Sequence, residues 1–179
     1  MIEMELPFKT CKHNNWTNSF TITQIKNIRP DIAYDIGIGD GFYGKLLKFI
    51  NPSSTVIGIE LSKKWITFCE SIFVYDQIIH ANVFDFIATD CGGDLIIFGD
   101  VLEHMVKPDM SVVLRNAVLK FKWVLINGPV GFQAQEHEDV EEIHQCGITK
   151  NDDLIMYNII EYNELENVMM NCLIRGEVS

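Results

Sequence analysis

Short apolar runs alternate along the chain with longer mixed stretches. The runs fall at 32–38 (IAYDIGI), 54–60 (STVIGIE), 77–80 (QIIH), 94–98 (DLIIF) and 122–127 (KWVLIN). Each is too short for a helix of ordinary length and is bounded by turn formers, which predicts a buried strand. Between them, 41–50 (GFYGKLLKFI) reads as a helix stopped by Asn51-Pro52, 63–72 as a helix capped by Ser62, and 109–121 as a helix with Pro108 at its first turn. Residues 84–90 carry a weaker helical pattern. Strands and helices in this alternation predict an α/β fold, with a parallel sheet covered on both faces.

After Val130 the pattern breaks. GFQAQEHEDVEEIHQCG is polar, acidic and without a period, so 129–148 is expected to be a long loop or lid. Residues 149–155 predict a short helix. Residues 157–162 and 167–174 predict two strands joined by a tight turn at Asn163-Glu164, a hairpin that closes the sheet. No repeat or interdomain linker interrupts the chain, so its 179 residues are expected to form a single domain. Its parts are an N-terminal segment (1–30), a core (31–128), the acidic loop (129–148), and a terminal helix with hairpin (149–179).

Charge alters this picture in one place. The net charge is −11, yet residues 135–179 hold eleven acidic and only two basic side chains, so the acidity belongs to the lid and to the chain beyond it. With no basic stripe, nucleic acid is an unfavourable partner, because phosphate contacts by Lys and Arg supply most of such affinity. Five cysteines without a CxxC pair suggest neither a disulfide framework nor a thiolate zinc site. The N-terminus lacks the charged-then-apolar pattern of a signal peptide, and no apolar run reaches the ~18 residues of a membrane span. A cytoplasmic protein with no membrane partner is the expectation.

The most specific local signal is Asp35-Ile36-Gly37-Ile38-Gly39-Asp40-Gly41, where the first strand turns into the first core helix. Glycines there let the backbone turn sharply and approach a ligand, while the helix N-terminus offers free N–H groups. A tight turn that holds no ligand is the alternative. Glu60 ends the second strand, at the distance along the chain where a carboxylate meets a ribose diol in nucleotide-binding folds.

The loop departs from GxGxxG and reads DxGxGxG. With AYDIGIGDGFYGKLL, VIGIELS, HANVFDF, DLIIFGDVLEHM and WVLINGPV in this order, the chain resembles the class I S-adenosylmethionine-dependent methyltransferases over most of residues 31–175. The resemblance implies a Rossmann-like three-layer α/β/α sandwich. Its seven-stranded, mostly parallel sheet would have the order 3-2-1-4-5-7-6 and end in an antiparallel hairpin. It further implies that Asp35, Gly37, Gly39 and Gly41 hold the methionine part of S-adenosyl-L-methionine, Glu60 with Leu61 the ribose, and Asn82 with Val83 the adenine. Gly99 falls in the same site. The family usually has Asp where Asn82 stands, and a plain turn residue is the alternative there.

Residues after the fourth strand should face the transferred methyl group, since ligands of open α/β sheets lie outside the strands' carboxyl ends. A helix starting near Asp100 would place Asp100, Glu103 and His104 on one face. DVLEH is similar to the ExxEH element of metal-assisted O-methyltransferases, including enzymes of ubiquinone biosynthesis and small-RNA 2′-O-methyltransferases. That likeness implies a metal set of Asp100, Glu103 and His104, holding Mg²⁺ or Mn²⁺; a further ligand, His144, is expected from the acidic lid at Glu142-Ile143-His144, with His137 as its rival and a solvated surface residue as the alternative for both histidines. Equally, Asp100 can cap the helix and Glu103 complete a capping box.

The catalytic candidates are Asp100, His104 and His144, with imidazole as base or a metal acidifying a hydroxyl. Phe42 and Tyr43 are expected to line the cofactor pocket or pack in the core, and Trp16 and Phe20 to cover the acceptor or dock on the core. GFYGKLL, INGPVGFQ, ExH and NDDL together resemble small methyltransferases of sugar, cell-surface or secondary-metabolite modification. O-methylation of a small-molecule or glycan hydroxyl is therefore the leading expectation. Metal-dependent RNA 2′-O-methylation and a non-catalytic binding module are the alternatives.

Overall fold

The computed structural model describes residues 15–134 and 143–178, with side chains from Ser19 onward. The chain runs α1 (Asn15–Ile28), β1 (Ile32–Ile36), α2 (Phe42–Ile50), β2 (Thr55–Glu60), α3 (Lys63–Ile72), β3 (Gln77–His80), α4 (Val83–Ala88) and β4 (Gly93–Gly99). A single 3₁₀ turn at Leu102–His104 precedes α5 (Lys107–Lys120) and β5 (Phe121–Pro129). A π-helical turn at Lys150–Leu154 then leads into β6 (Ile159–Leu165) and β7 (Met169–Arg175).

All seven strands join one sheet in the order β3-β2-β1-β4-β5-β7-β6. The first five are parallel, while β7 runs antiparallel to both β5 and β6. This is the expected Rossmann-like arrangement. Its physical basis is visible in the central strands, whose side chains are buried alternately on opposite faces. Leu95 and Ile97 of β4 and Leu125 of β5 pack with α1 and α2 through Phe20, Ile25, Leu46 and Leu47. Ile96 and Phe98 of β4, with Val124 and Ile126 of β5, pack with α4 and α5 through Phe86, Met110, Val113 and Leu114. A strand buried on both faces needs apolar residues at every position, which is why these segments read as unbroken runs.

Two local expectations are corrected. The hairpin turn lies at Glu166-Asn167, not Asn163-Glu164; both turn residues have positive φ and the Val168 N–H returns to the Leu165 carbonyl, as in a type I′ turn. Asn163 and Glu164 instead lie within edge strand β6, where polar side chains are tolerated because one side faces water. Nor does a helix begin near Asp100. That residue takes a left-handed φ of 53°, its N–H donates to the Asn127 carbonyl, and α5 starts only at Lys107.

Both ends of the acidic loop return to the sheet's carboxyl edge. The Gly131 N–H donates to the Ile148 carbonyl, and the N–H groups of Gln145 and Cys146 both donate to the Glu103 carbonyl. Lys107 clamps the same segment through the Gly147 carbonyl and the Asp153 carboxylate. His137 and Glu142 lie outside the described residues, as does the side chain of Trp16. Phe20 is buried between α1 and the sheet, the core-docking role rather than an acceptor cover. Among the described residues, no helix is long and apolar enough to cross a membrane.

Candidate active site

A cavity of about 620 Å³ opens at the carboxyl ends of β1, β2, β3 and β4. Its floor is the turn after β1, where Gly37, Gly39 and Gly41 all have positive φ (68°, 47° and 79°), a conformation costly for any residue with a Cβ. Asp40 caps the start of α2, its Oδ1 accepting the Phe42 N–H at 3.1 Å. Gly37 and Gly39 line the cavity, whereas Gly41 is turned toward Cys69 and Ile72 behind it.

Glu60 closes one side. Its Oε1 accepts the N–H groups of Leu61 (2.9 Å) and Ser62 (2.8 Å), and its Oε2 accepts that of Gly39 (3.3 Å). One carboxylate thus ties the end of β2 to the glycine turn, and Glu60 and Leu61 both line the cavity. Trp65 and Phe68, three residues apart on α3, extend this wall; sequence reasoning missed them, although their i, i+3 aromatic spacing was visible. At the opposite side Asn82 and Val83 line the cavity where β3 turns into α4. The Asn82 Oδ1 accepts the Phe84 N–H at 2.9 Å, so this residue is an N-cap as well as a wall residue.

Asp35 lies away from the cavity. Its carboxyl is fully buried behind the glycine turn, where it accepts a hydrogen bond from the Tyr75 hydroxyl at 2.6 Å. Burial pushes its pKa up to about 7, with Glu60 and Asp40 adding to the rise and the Tyr75 hydrogen bond opposing it.

The acceptor end lies beyond β4. Gly99, Asp100, Val101 and His104 line the cavity, with Phe42 and Tyr43 beside them. Tyr43 packs so closely on Gly99 that a Cβ there would overlap its ring, and its hydroxyl accepts a hydrogen bond from Asn127 at 3.1 Å. Because Asp100 is left-handed and Leu102–His104 is one 3₁₀ turn, Asp100, Glu103 and His104 do not share a helix face.

A different trio converges. Ligand atoms of Glu103, His104 and His144 lie within 4.8 Å of one another, and Asp100 is not among them. The two imidazole rings stand 5.0 Å apart, edge to face. The His144 Nδ1 lies 2.7 Å from the Gln133 carbonyl, so Nδ1–H donates there and the Nε2 lone pair is left available. Glu103 is only 2% exposed, and its Oε2 has no hydrogen-bond partner among the described residues. Burial, and secondarily Asp100, pushes its pKa up to about 8. Asp100 is not a helix cap, since Val101 precedes the 3₁₀ turn and no side chain caps it.

Residues 34–120 match the family model of a methyltransferase domain. No curated protein matches the chain significantly. Among solved structures, TehB from Haemophilus influenzae is similar with a TM-score of 0.73 at 15% identity, covering 94% of this chain. This chain spans 64% of the length of TehB. The N-terminal domain of EvdMO1, solved in the presence of SAH and D-fucose, aligns with a TM-score of 0.64 at 10% identity over 94% of this chain and 85% of its own. The mitomycin 7-O-methyltransferase MmcR aligns with a TM-score of 0.63 at 12% identity over 88% of this chain and 53% of its own. At these identities the structural likeness speaks for the fold alone. Residues 34–120 match a methyltransferase domain, and the sheet built around them has the strand order of the Rossmann-like methyltransferase fold.

Proposed function

We propose that the protein transfers a methyl group from S-adenosylmethionine to a hydroxyl of a small molecule or glycan, with a divalent cation held by Glu103, His104 and His144 beside the acceptor. The convergence of those three side chains next to the cavity carries this reading. Glu103 Oε2 is the supporting detail: a buried oxygen left without a partner costs about 1–3 kcal/mol, and an ion would meet it. Two imidazoles and one carboxylate suit Mn²⁺ better than Mg²⁺, which prefers oxygen donors. When bound, a cation supplies the Lewis acidity that makes an acceptor hydroxyl easier to deprotonate.

The chain's own residues do the remaining work. Displacement at a sulfonium methyl is in-line, so the protein's main contribution is alignment and exclusion of water. Gly37, Gly39, Glu60, Leu61, Asn82, Val83 and Gly99 surround the cofactor. Asp35 and Gly41 support it from behind the turn. Asp100, at the mouth of β4, orients the acceptor and takes the hydroxyl proton, since an imidazole nitrogen of His104 or His144 that holds the cation has no lone pair left to accept it. Two of the fold relatives support a hydroxyl: D-fucose accompanies EvdMO1, and MmcR is a 7-O-methyltransferase. The net charge of −11 disfavours RNA.

Thermal shift with S-adenosylhomocysteine, with and without Mn²⁺ or Mg²⁺, tests the ligands. Methyl transfer to a panel of sugars and phenols, with matched amines, tests the acceptor. A cation-dependent shift lost in Glu103→Gln, and transfer to hydroxyls that chelator abolishes, are expected. Transfer to amines alone would end the hydroxyl reading, and transfer unaffected by chelator would end the cation.

A further inference from the structure

Tyr75 lies in the link between α3 and β3 and belongs to no motif. Its ring nevertheless occupies a slot that Gly44 and Gly58 leave open. A Cβ at Gly44, inside α2, would lie 2.5 Å from Tyr75 Cζ; one at Gly58, inside β2, would lie 2.7 Å from Ile38 Cγ2 and 3.1 Å from Tyr75 Cδ1. Glycine inside a helix or strand costs roughly 0.5–1 kcal/mol relative to alanine, so Gly44 is accounted for by the ring it admits and Gly58 by that ring together with Ile38. At the end of the slot the Tyr75 hydroxyl donates to Asp35 Oδ2 at 2.6 Å, two residues before Gly37. Cys69 completes the layer, its thiol donating to the Gly39 carbonyl at 3.3 Å. The Gly37–Gly41 turn therefore faces the cavity on one side and rests on Tyr75, Asp35 and Cys69 on the other.

We propose that Tyr75 is a positioning residue for cofactor binding: ring and hydroxyl together hold Asp35 and the Gly37–Gly41 turn in the conformation that receives the methionine end of S-adenosylmethionine. This rests on the reading of the cavity as the cofactor site. Tyr75 itself does not line the cavity; it acts through Asp35. The charged and titratable groups around Asp35 are Asp40 in the turn, Glu60 at the end of β2, Tyr43 on α2, Cys69 on α3, and Tyr75 itself, with Lys45 of α2 bonded to the Asp40 carbonyl. Glu60 and Asp40 favour the protonated acid, and the Tyr75 hydroxyl favours the carboxylate. Losing that hydroxyl shifts Asp35 toward its neutral form, which leaves less negative charge behind the turn to attract the cofactor's ammonium.

Calorimetric titration of S-adenosylhomocysteine between pH 6 and 8.5 tests this, with folding followed by circular dichroism. Tyr75→Phe keeps the ring in its slot and removes only the hydroxyl. The wild type is expected to bind more tightly as pH rises through about 7. Tyr75→Phe should fold, bind about 5- to 50-fold more weakly near neutrality, and show its rise at higher pH. Asp35→Asn should bind with a flat profile. Wild-type affinity with an unshifted profile in Tyr75→Phe overturns the proposal. So does a wild-type profile in Asp35→Asn, a measurement that stands even if Tyr75→Phe does not fold. A wild type that binds no S-adenosylhomocysteine would instead overturn the cofactor reading, and the proposal with it.

Discussion

The Glu60 carboxylate and the Gly39 N–H meet at 3.3 Å across 21 residues of chain, joining the ends of two neighbouring parallel strands at the cavity wall. The same carboxylate accepts the N–H groups of Leu61 and Ser62, so it shapes both the glycine turn and the entry to α3. Replacing it with glutamine keeps the shape but turns one acceptor oxygen into an N–H donor, which loses the Gly39 acceptance or those of Leu61 and Ser62 and strips the charge from what remains, each charge-assisted bond being of the kind worth about 1.5–3 kcal/mol. Glu60→Gln is expected to bind S-adenosylhomocysteine about 10- to 100-fold more weakly by calorimetry, with little change in far-ultraviolet circular dichroism. Undiminished affinity would remove Glu60 from the cofactor site.

Gly99 and Tyr43 make a second point of close approach. A Cβ at Gly99 would overlap the Tyr43 ring, which is itself buried and hydrogen-bonded to Asn127. Gly99→Ala must push that ring toward the cavity or away from Asn127, an overpacking change of about 1–3 kcal/mol. A lower midpoint in urea and a weaker cofactor affinity are expected together. Loss of stability alone would mean the ring moves away from the cavity.

The parallel sheet was legible because β1, β2, β4 and β5 are buried on both faces, so their apolar runs had few other readings. The glycine turn was legible because only a backbone needing positive φ alternates glycine as 37–39–41 does. The hairpin turn was not: Asn163 is a good turn former, yet as half-buried and exposed positions of edge strand β6, Asn163 and Glu164 carry no packing requirement that would have overruled that reading. The arrangement after β4 was hidden for another reason. Whether Asp100 starts a helix depends on its N–H reaching the Asn127 carbonyl, a contact 27 residues away that no local pattern encodes. Tyr75 was equally silent, since its partner Asp35 is 40 positions distant and its slot is made by glycines in two different elements, α2 and β2.

Asn127 and Asn171 face each other across β5 and β7, yet opposite outcomes are expected when each is made leucine. Asn171 is fully buried, and neither of its amide atoms has a hydrogen-bond partner among the described residues. An apolar residue of similar size removes that penalty, so Asn171→Leu should raise the melting temperature by roughly 2–4 °C, the shift expected for about 1 kcal/mol in a domain of this size. Asn127 instead donates to both Thr21 and Tyr43, linking α1, α2 and β5. Asn127→Leu leaves those two hydroxyls to find other partners and should lower the melting temperature. Equal shifts of one sign would show that the buried amides are equivalent.

Asp35 makes stability depend on pH in an unusual direction for a carboxyl. Its folded pKa of about 7 stands above the ordinary value of 3.8, because burial penalises the charged form more than Tyr75 relieves it. Between those values the unfolded chain has released this proton while the folded protein still holds it, so the unfolded state binds fewer protons. Stability contributed by Asp35 is therefore fully present below about pH 4, falls as pH rises, and is lost by about pH 7 to 8. Each pH unit between the two values corresponds to about 1.4 kcal/mol, which is large against the net stability of a domain. Urea denaturation of the unliganded protein at pH 5, 6, 7 and 8, compared with Asp35→Asn, isolates the effect. The asparagine variant accepts the Tyr75 hydrogen bond without titrating, so the difference between variant and wild type should move in the variant's favour as pH rises. Parallel curves for the two proteins would place the Asp35 pKa near that of an ordinary exposed carboxyl.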